Sequence, residues 1–479
     1  MSTLAAFDSV NHLFQWDQDT AMATGARGGR ERVLQTLAGL THREAARPDV
    51  DDMLDEIDED TASSPELRRM VTLARRLRRR TAFISADFES QLAVASMRSA
   101  SAWTDARPRS DYSLLSEPFG QLVDLKREEA ALLDVGDEPY DGLLDQFEPG
   151  ARVREILPLF DTLRHPLAEI AANSERRPPS PHPGHWHTEG QLALSREVAV
   201  ALGYDPNRGG FGVSPHPFAS VIHPGDVRIS TRVDPTDPIE CLLSTMHEVG
   251  HAIYEQSLPD SLAGTLLCDA PSYGAHEAQA RFWENHVGRD PAFWDWLAPL
   301  LERLFPAQMK LVTAAQLFET ARTVRPSLVR TGADEVTYDL HILLRLEIEL
   351  ALIRGEIDVP DLPALWNDAM ERLLGIRPDS DANGVLQDSH WPSGDFGYFP
   401  SYTLGNIYAA QLNEAFEHEH GTLGVLIGNG SFPTIANFMR ERVHQHGQRF
   451  EAEEVMLRAT GVPRSTDALI RHLQRRYRA

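Results

Sequence analysis

The segment 247–251 (HEVGH) places two imidazoles and a carboxylate within five residues, which constrains the fold around it. On a helix, side chains four residues apart project from one face about one turn, or ~6 Å, apart. One zinc ion can contact both imidazoles, and Glu248 lies beside it, able to take a proton from a water molecule. Asp237 and Pro238 predict a helix start, and no further proline occurs up to Gln256. The sequence therefore predicts a zinc site on a mostly buried helix.

Besides His247 and His251, a zinc site needs a third ligand from elsewhere in the chain. Glu255 continues the same helix face, but it lies eight residues from His247, a rise of ~12 Å and too far to share one ion. The ligand spacings of metzincins and thermolysin-like enzymes are absent. The next candidates are the glutamates Glu277 and Glu284, on a further predicted helix. We expect Glu277, near the start of that helix, to be the ligand, and Glu284 to be solvated or to support a ligand.

Six ordered motifs resemble those of the Taq-type (thermostable) metallocarboxypeptidases, the thirty-second family of metallopeptidases. The motifs are HPF at 216–218, DVRIS at 226–230, HEVGH at 247–251, HEAQ at 276–279, VRTGAD at 329–334 and GVLQDSHW at 384–391. Ser230 stands where the family usually has threonine, and Ala278 replaces its small third residue. WDQDT at 16–20 and YDGLLDQFEPG at 140–150 also resemble the family. Because only fifteen residues precede Trp16, we expect part of a first helix to be missing, with consequences for stability or dimer packing.

Periodicity alone predicts a mainly α chain, and the resemblance implies a single large helical body with a deep substrate groove. We expect one metallocarboxypeptidase domain over 1–479, helical up to about 205 and carrying the zinc site from about 206. Strand-like alternation at 209–232 predicts a small β ribbon near the active site. A Pro/His-rich segment at 177–187 predicts a loop. The helices predicted from apolar spacing cover 66–83, 114–133, 153–172, 189–202, 239–256, 275–287, 307–321 and 335–357.

The resemblance implies a carboxypeptidase that releases C-terminal amino acids from peptides with broad specificity. His247, His251 and Glu277 would hold one zinc ion per subunit, for which cobalt could substitute, and Glu248 would act as the general base. An endopeptidase or dipeptidase with the same zinc machinery is the alternative enzyme. A scaffold or binding protein without metal is a second alternative, which the presence of every expected ligand disfavours.

Two arginines are predicted to bind the free carboxylate of a peptide substrate. Arg330, in the VRTGAD motif, is the first choice, since a planar guanidinium can hold a carboxylate through two hydrogen bonds. The alternative for Arg330 is an ion pair with Asp334, one helical turn further on. Arg228 is the second choice, and its alternative is an ion pair with Asp226.

Aromatic and histidine side chains complete the predicted site. Tyr398 and Tyr402 lie in a segment rich in Gly, Pro and aromatic residues, which predicts a loop that forms one wall of a cleft. A tyrosine hydroxyl could stabilise an oxyanion, and packing is the expected role of at least one of them. His216 and His390 could contact substrate or be hydrogen-bonded core histidines. Residues 387–388 (Gln-Asp) would support the site without being catalytic.

Composition narrows the location and the partners. The formal net charge of −25 disfavours nucleic acid and anionic membranes. The sequence contains no run of eighteen apolar residues, and residues 1–8 lack the pattern of a secretory signal. Cys241 and Cys268 are the only cysteines, which favours buried free thiols over a disulfide framework. We expect a cytoplasmic enzyme, and the resemblance implies a homodimer.

Overall fold

Helices dominate the computed structural model, which describes residues 2–60, 64–174 and 183–477. Within these ranges the only sheet has three short strands, so the predicted mainly α class is confirmed. The α-helices are α1 (Ser2–Thr20), α2 (Arg27–Ala45), α3 (Asp49–Asp60), α4 (Pro65–Phe83), α5 (Ala86–Arg109), α6 (Ser113–Leu133), α7 (Pro139–Leu144), α8 (Val153–Asn173), α9 (Thr188–Leu202), α10 (Pro238–Gln256), α11 (Tyr273–Arg281), α12 (Pro291–Leu304), α13 (Ala314–Ala321), α14 (Tyr338–Arg354), α15 (Leu362–Leu374), α16 (His390–Ser393), α17 (Pro400–His420), α18 (Leu423–Gly428), α19 (Phe432–Arg442), α20 (Ala452–Thr460) and α21 (Asp467–Tyr477).

The small sheet lies beside the helix that carries the HEVGH motif. Its strands are β1 (Phe211–Val213), β2 (Ala219–His223) and β3 (Asp226–Thr231), in the order β1-β3-β2. β3 pairs in parallel with β1 and antiparallel with β2. β3 and β2 both pack against α10. The ribbon predicted at 209–232 is therefore present, as three strands next to the motif helix.

α10 begins as the sequence predicts. The carboxylate of Asp237 accepts hydrogen bonds of 3.1 Å from the backbone amides of Ile239 and Glu240. Pro238 occupies the first turn, where a missing N–H costs nothing because that group has no partner within the helix. α10 packs against β3, α9 and α11 and is buried along most of its length. The motif residues are thus held in the interior by a well-defined helix start and by neighbours on several sides.

α14 is buried on all sides, so its polar groups must find partners inside the protein. Asp339 accepts hydrogen bonds from Thr403 Oγ1 at 2.7 Å and from Asn406 Nδ2 at 2.9 Å, both on α17. Glu349 accepts a hydrogen bond of 2.6 Å from the indole of Trp391. These buried contacts fix α14, α16 and α17 relative to one another, and four of the six predicted substrate-binding residues lie in this region.

Two predicted helices differ in extent from the observed ones. The segment 307–321 is divided, because a 3₁₀ turn at Gln308–Lys310 is followed by a new helix start at which the side chain of Thr313 caps α13. The prediction at 335–357 is too long at both ends. Gly355, with a φ of +73°, ends α14 in the left-handed conformation that glycine adopts without strain.

Other predictions concern a loop, the two cysteines and the absence of a membrane-spanning helix. Part of the loop predicted at 177–187 lies outside the described residues, and residues 183–187 form neither helix nor strand. Cys241 and Cys268 are free, as predicted; the first is buried and the second half-buried. None of the described helices is both long enough and apolar enough to cross a bilayer. The groove and the division of the chain near residue 205 stay predictions.

Candidate metal centre and active site

Three side chains from α10 and α11 converge on one point. Nε2 of His247 and Nε2 of His251 lie 3.7 and 3.5 Å from Oε2 of Glu277, and one ligand atom from each residue lies within 4.8 Å of the other two. Ligands ~2.1 Å from a tetrahedral zinc ion are ~3.4 Å apart, so this spacing fits one shared ion. Three protein ligands leave a fourth position available, as in catalytic zinc sites. The predicted trio is therefore brought together, and its donor atoms fit zinc.

Glu284, the second carboxylate considered as a ligand, contacts His247 on the other edge of its ring. Oε2 of Glu284 lies 3.0 Å from Nδ1 of His247, whereas Nε2 faces the ligand cluster. A carboxylate in this position fixes the orientation of a ligand imidazole and raises its basicity. The helix predicted at 275–287 is present, but beyond Arg281 it continues as a π-helix that covers Phe282–Val287. The wider turn changes the direction of the side chains that follow α11, and Glu284 lies within it.

Arg281 holds the third ligand from behind. Its Nε donates a 2.7 Å hydrogen bond to Oε1 of Glu277, which leaves Oε2 facing the histidines, and its Nη1 donates to Glu284 at 3.2 Å. Burial alone would raise the pKa of Glu277, but His247 and Arg281 hold that pKa well below its usual range. Sequence reasoning missed Arg281, although its position four residues after Glu277 on one helix was a usable signal.

Two glycines allow backbone and ligand to approach closely. A Cβ at Gly250, inside the HEVGH motif, would lie 2.6 Å from the carbonyl oxygen of Gln279 on α11. A Cβ at Gly405 of α17 would lie 2.5 Å from Cγ of Glu277. Both distances are far below van der Waals contact, so any larger residue would push a helix away from the ligand cluster. The glycine between the two motif histidines thus allows α10 and α11 to bring their ligands together.

Glu248 is buried next to the ligand cluster, with 7 % of its surface exposed. Burial raises the pKa of Glu248 to about 7, despite the opposing effect of His247. Burial also acts to lower the pKa of His247, but Glu277, Glu284 and Glu248 together raise it to about 9. A carboxyl group with a pKa near neutrality can accept a proton and return it at similar cost, as a general base and acid must.

Arg330 is buried and forms an ion pair, but not with the partner considered in the sequence analysis. Its Nε and Nη2 donate to the two carboxylate oxygens of Asp388 at 3.2 and 2.7 Å, and its Nη1 donates to the hydroxyl of Tyr338 at 2.7 Å. Asp334 instead accepts hydrogen bonds from the backbone amides of residues 336–337 just before α14. The alternative of an Arg330–Asp334 ion pair is therefore wrong.

Asp388 is shared between two arginines, which leaves the cluster with an excess of positive charge. Nε of Arg345 donates to Asp388 at 2.7 Å, and its Nη2 donates to Oε1 of Gln387 at 2.8 Å. Burial acts to raise the pKa of Asp388, but Arg330 and Arg345 hold it well below its usual range. Two guanidiniums against one carboxylate give a formal charge of +1. The predicted supporting role of residues 387–388 agrees with these contacts. Arg345 was missed, although an arginine within the apolar run 342–346 was a signal.

His390, Tyr398 and Tyr402 lie together against Arg330. Nε2 of His390 is 3.1 Å from the hydroxyl of Tyr402, and the two tyrosine rings contact at 5.2 Å between centroids. The Arg330 guanidinium lies 4.8 Å from the centre of the Tyr402 ring. Burial, reinforced by Arg330, lowers the pKa of His390 to about 4, so its imidazole is neutral at pH 7. The predicted loop is wrong for Tyr402, which lies in the first turn of α17.

The other two predicted substrate contacts lie on or beside the small sheet. Arg228 donates to both carboxylate oxygens of Asp226, at 2.9 and 2.8 Å, which is the ion pair considered as its alternative. The side chain of His216 is exposed. Among the described residues, no hydrogen bond, ion pair or ring contact joins either side chain to His247, His251 or Glu277. The structure therefore does not bring them into the ligand cluster.

Tyr338 connects the metal ligands to the arginine cluster. The guanidinium of Arg281, which holds Glu277, lies 4.1 Å from the centre of the Tyr338 ring. The hydroxyl of the same tyrosine accepts the hydrogen bond from Arg330. A ligand trio, a buried carboxyl group and a partly neutralised pair of arginines thus occupy neighbouring positions. This helical fold and this site define a metallopeptidase.

Comparison with known proteins identifies the family. A family model described as the Taq (M32) carboxypeptidase metallopeptidases matches residues 1–477. Thermostable carboxypeptidase 1 of Thermus thermophilus is 37 % identical over 491 residues, which cover 98 % of this chain and 95 % of the relative. Carboxypeptidase 1 of Bacillus subtilis is 35 % identical over 488 residues, which cover 100 % of this chain and 96 % of the relative. The crystal structure of the M32 carboxypeptidase from Deinococcus radiodurans R1 has a TM-score of 0.96 at 35 % identity, covering 99 % of this chain and 97 % of that one.

The chain belongs to the M32 family of metallocarboxypeptidases and is a hydrolase that acts on peptide bonds. The family predicted from the six sequence motifs is confirmed, as is the predicted carboxypeptidase class.

Proposed function

We propose that the protein is a zinc-dependent carboxypeptidase that releases single amino acids from the C-terminus of peptides. The observation that carries this proposal is the link between the ligand trio and the arginine cluster. Glu277 is bonded to Arg281, Arg281 lies against Tyr338, and Tyr338 is bonded to Arg330. An exopeptidase of this kind needs a cation for the terminal carboxylate close to the group that activates the scissile bond, and this chain of contacts supports that arrangement.

His247, His251 and Glu277 would hold the zinc ion, which supplies polarisation of the scissile carbonyl and activation of water when bound; cobalt could replace it. Glu248 takes the proton of the attacking water molecule and passes it to the departing amine. With a pKa near 7, its carboxyl group is suited to both transfers. Glu284 and Arg281 hold His247 and Glu277 in place during the reaction.

Arg330 binds the terminal carboxylate of the peptide. Three of its five N–H groups are engaged by Asp388 and Tyr338, so two remain, and the cluster that includes Arg345 retains a charge of +1. Tyr398, Tyr402 and His390 form the neighbouring wall, where a tyrosine hydroxyl can donate to the substrate or to the developing oxyanion. Recognition of a backbone carboxylate is independent of the side chain, which supports broad specificity.

His216 and Arg228 are kept as proposed substrate contacts because the sheet that carries them packs against α10. The bidentate pair with Asp226 means that Arg228 would have to share its guanidinium with the substrate. We also propose that the chain forms one domain and acts on short peptides as a homodimer; the family resemblance supports these three points.

A time course of product release tests the proposal. The metal content of the purified protein is measured first, and the protein is then incubated with a peptide of defined sequence in two forms, one with a free C-terminus and one amidated. We expect zinc, with stepwise release of single C-terminal amino acids from the free form only. Equal cleavage of the amidated peptide, or the appearance of internal fragments or dipeptides, would contradict the proposal and favour an endopeptidase or a dipeptidase.

A further inference from the structure

A cavity of about 360 Å³ opens beside the π-helix that carries Glu284. Its walls come from that π-helix and from α12, α13, α17, α18 and α21. None of the metal-ligand trio, Glu248 or the arginine cluster around Arg330 lines it. Its volume is at the lower end of the range for ligand sites, roughly 300–1,000 Å³, and suits a small molecule. The cavity is therefore separate from the proposed active site.

The lining combines both signs of charge with apolar surface. Four guanidiniums line the cavity: Arg289, Arg322, Arg475 and Arg476. Three carboxylates face the same space: Asp290, Glu319 and Glu417. Phe318 and Leu423 add an apolar portion. Arg322 pairs with Glu319 at 3.1 Å and Arg475 with Glu417 at 3.7 Å, so a ligand that carries both charges can share both members of a pair.

Two polar atoms in the lining lack partners. Nδ1 of His286 and Oδ1 of Asn413 make no hydrogen bond within the described part of the chain, although their residues are only 3 % and 5 % exposed. Buried polar groups are nearly always paired, so each such atom calls for an explanation. Both atoms are closed off from solvent in this conformation, so a ligand reaches them only if the side chains around the cavity move.

We propose that this cavity binds a free α-amino acid with an apolar side chain. The amino acid's carboxylate pairs with the guanidiniums, its ammonium group with the carboxylates, and its side chain packs against Phe318 and Leu423. The choice of ligand rests on the proposed function, because free amino acids are the products of a carboxypeptidase. Nη2 of Arg289 lies 3.4 Å from Oε1 of Glu284, which contacts His247, so an occupant of the cavity adjoins the support of the metal site.

A ligand titration tests the recognition of both charges. The metal-loaded protein is titrated with L-leucine in a phosphate-free buffer, and the dissociation constant is measured by saturation-transfer NMR. L-Leucinamide lacks the carboxylate and 4-methylpentanoate lacks the ammonium group. We expect each analogue to bind at least ~10-fold more weakly than L-leucine, because each loses charge-assisted hydrogen bonds. Equal binding of the three ligands, or no binding of L-leucine, would overturn the proposal.

Two variants of α21 locate the site. Arg475 lines the cavity and its side chain is 60 % exposed, with Glu417 as its ion-pair partner at 3.7 Å. Arg471, one turn earlier, is 56 % exposed, pairs with Glu414 and does not line the cavity. We expect Arg475→Ala to weaken L-leucine binding ~10-fold and Arg471→Ala to leave it unchanged. An equal effect of the two variants would show a long-range effect of charge and overturn the proposal.

A third variant separates this site from the active site, which can also bind a product. Binding that survives Arg330→Ala and is weakened by Arg475→Ala lies in this cavity. Binding that is lost in Arg330→Ala and unaffected by Arg475→Ala lies at the arginine cluster; that result overturns the present inference while supporting the proposed function. If Arg330→Ala does not fold, the comparison of Arg475→Ala with Arg471→Ala decides the question alone.

Discussion

The metal centre and the arginine cluster are both assemblies of buried charge, but their charges are satisfied in opposite ways. At the metal centre, His247, His251 and Glu277 face one another across a gap that suits a cation, and their partners hold them from behind. In the arginine cluster, Asp388 already occupies much of Arg330. The first arrangement is completed by a metal ion. The second retains a surplus positive charge and two N–H groups of Arg330 for the carboxylate that we propose it binds.

The largest expected effect separates proton transfer from metal binding. Glu248→Gln keeps the size of the side chain and removes the base, so kcat/KM should fall by roughly 10³-fold or more on peptides with a free C-terminus. Zinc content, measured by atomic emission, should stay at the wild-type level because the ligand trio is intact. A variant with near-normal turnover would remove Glu248 from the reaction.

The next largest effect tests the arginine cluster, the second region of this comparison. Arg330→Ala should lower kcat/KM by about 10²-fold on a free-carboxylate peptide, since a charge-assisted pair of hydrogen bonds is lost. The slow turnover of the amidated form of the same peptide should change little. A comparable loss on both forms would indicate that Arg330 holds the structure together instead of binding substrate.

A smaller effect is expected from the support of the metal ligands. Glu284→Gln should weaken zinc affinity by roughly 10–100-fold, because Nδ1 of His247 loses its anionic partner, whereas kcat at saturating zinc should stay close to wild type. Zinc affinity is measured by competition with a chelating dye. Glu302→Gln makes the same chemical change at an exposed position of α12 and should leave the affinity unaltered. Equal affinities for the wild type and Glu284→Gln would contradict the supporting role.

The smallest expected effect concerns the dependence of activity on pH. Glu248 must be ionised to accept a proton, so activity requires a pH above its pKa of about 7, which a bound cation would lower further. In the presence of excess zinc, kcat/KM should therefore fall about tenfold for each pH unit below the pKa of Glu248, which lies at or under about 7. A profile that stays flat down to pH 5 would show that Glu248 titrates elsewhere or does not act as the base.

The predictable parts of the site are those fixed by short-range sequence. Asp237 and the spacing within α10 follow from local helix chemistry, and both agree with the structure. The π-helix beyond Arg281 was not predictable from periodicity, because one extra residue in a turn leaves no clear apolar pattern. The partner of Arg330 lies 58 residues away in the chain, and only the packed fold brings Asp388 to it. Local signals thus predicted the metal centre more fully than the arginine cluster.

α17 touches both ends of the site with residues only three positions apart. The ring of Tyr402 lies against Arg330, and Gly405 lies against Glu277. Three residues of an α-helix rise ~4.5 Å, whereas one residue of an extended chain spans ~3.4 Å. If Arg330 anchors the terminal carboxylate as proposed, one rigid helix sets the separation between that anchor and the scissile bond, on the scale of a single residue. An enzyme with this fixed separation would shorten its substrate one residue at a time, whatever the length of the peptide before the scissile bond.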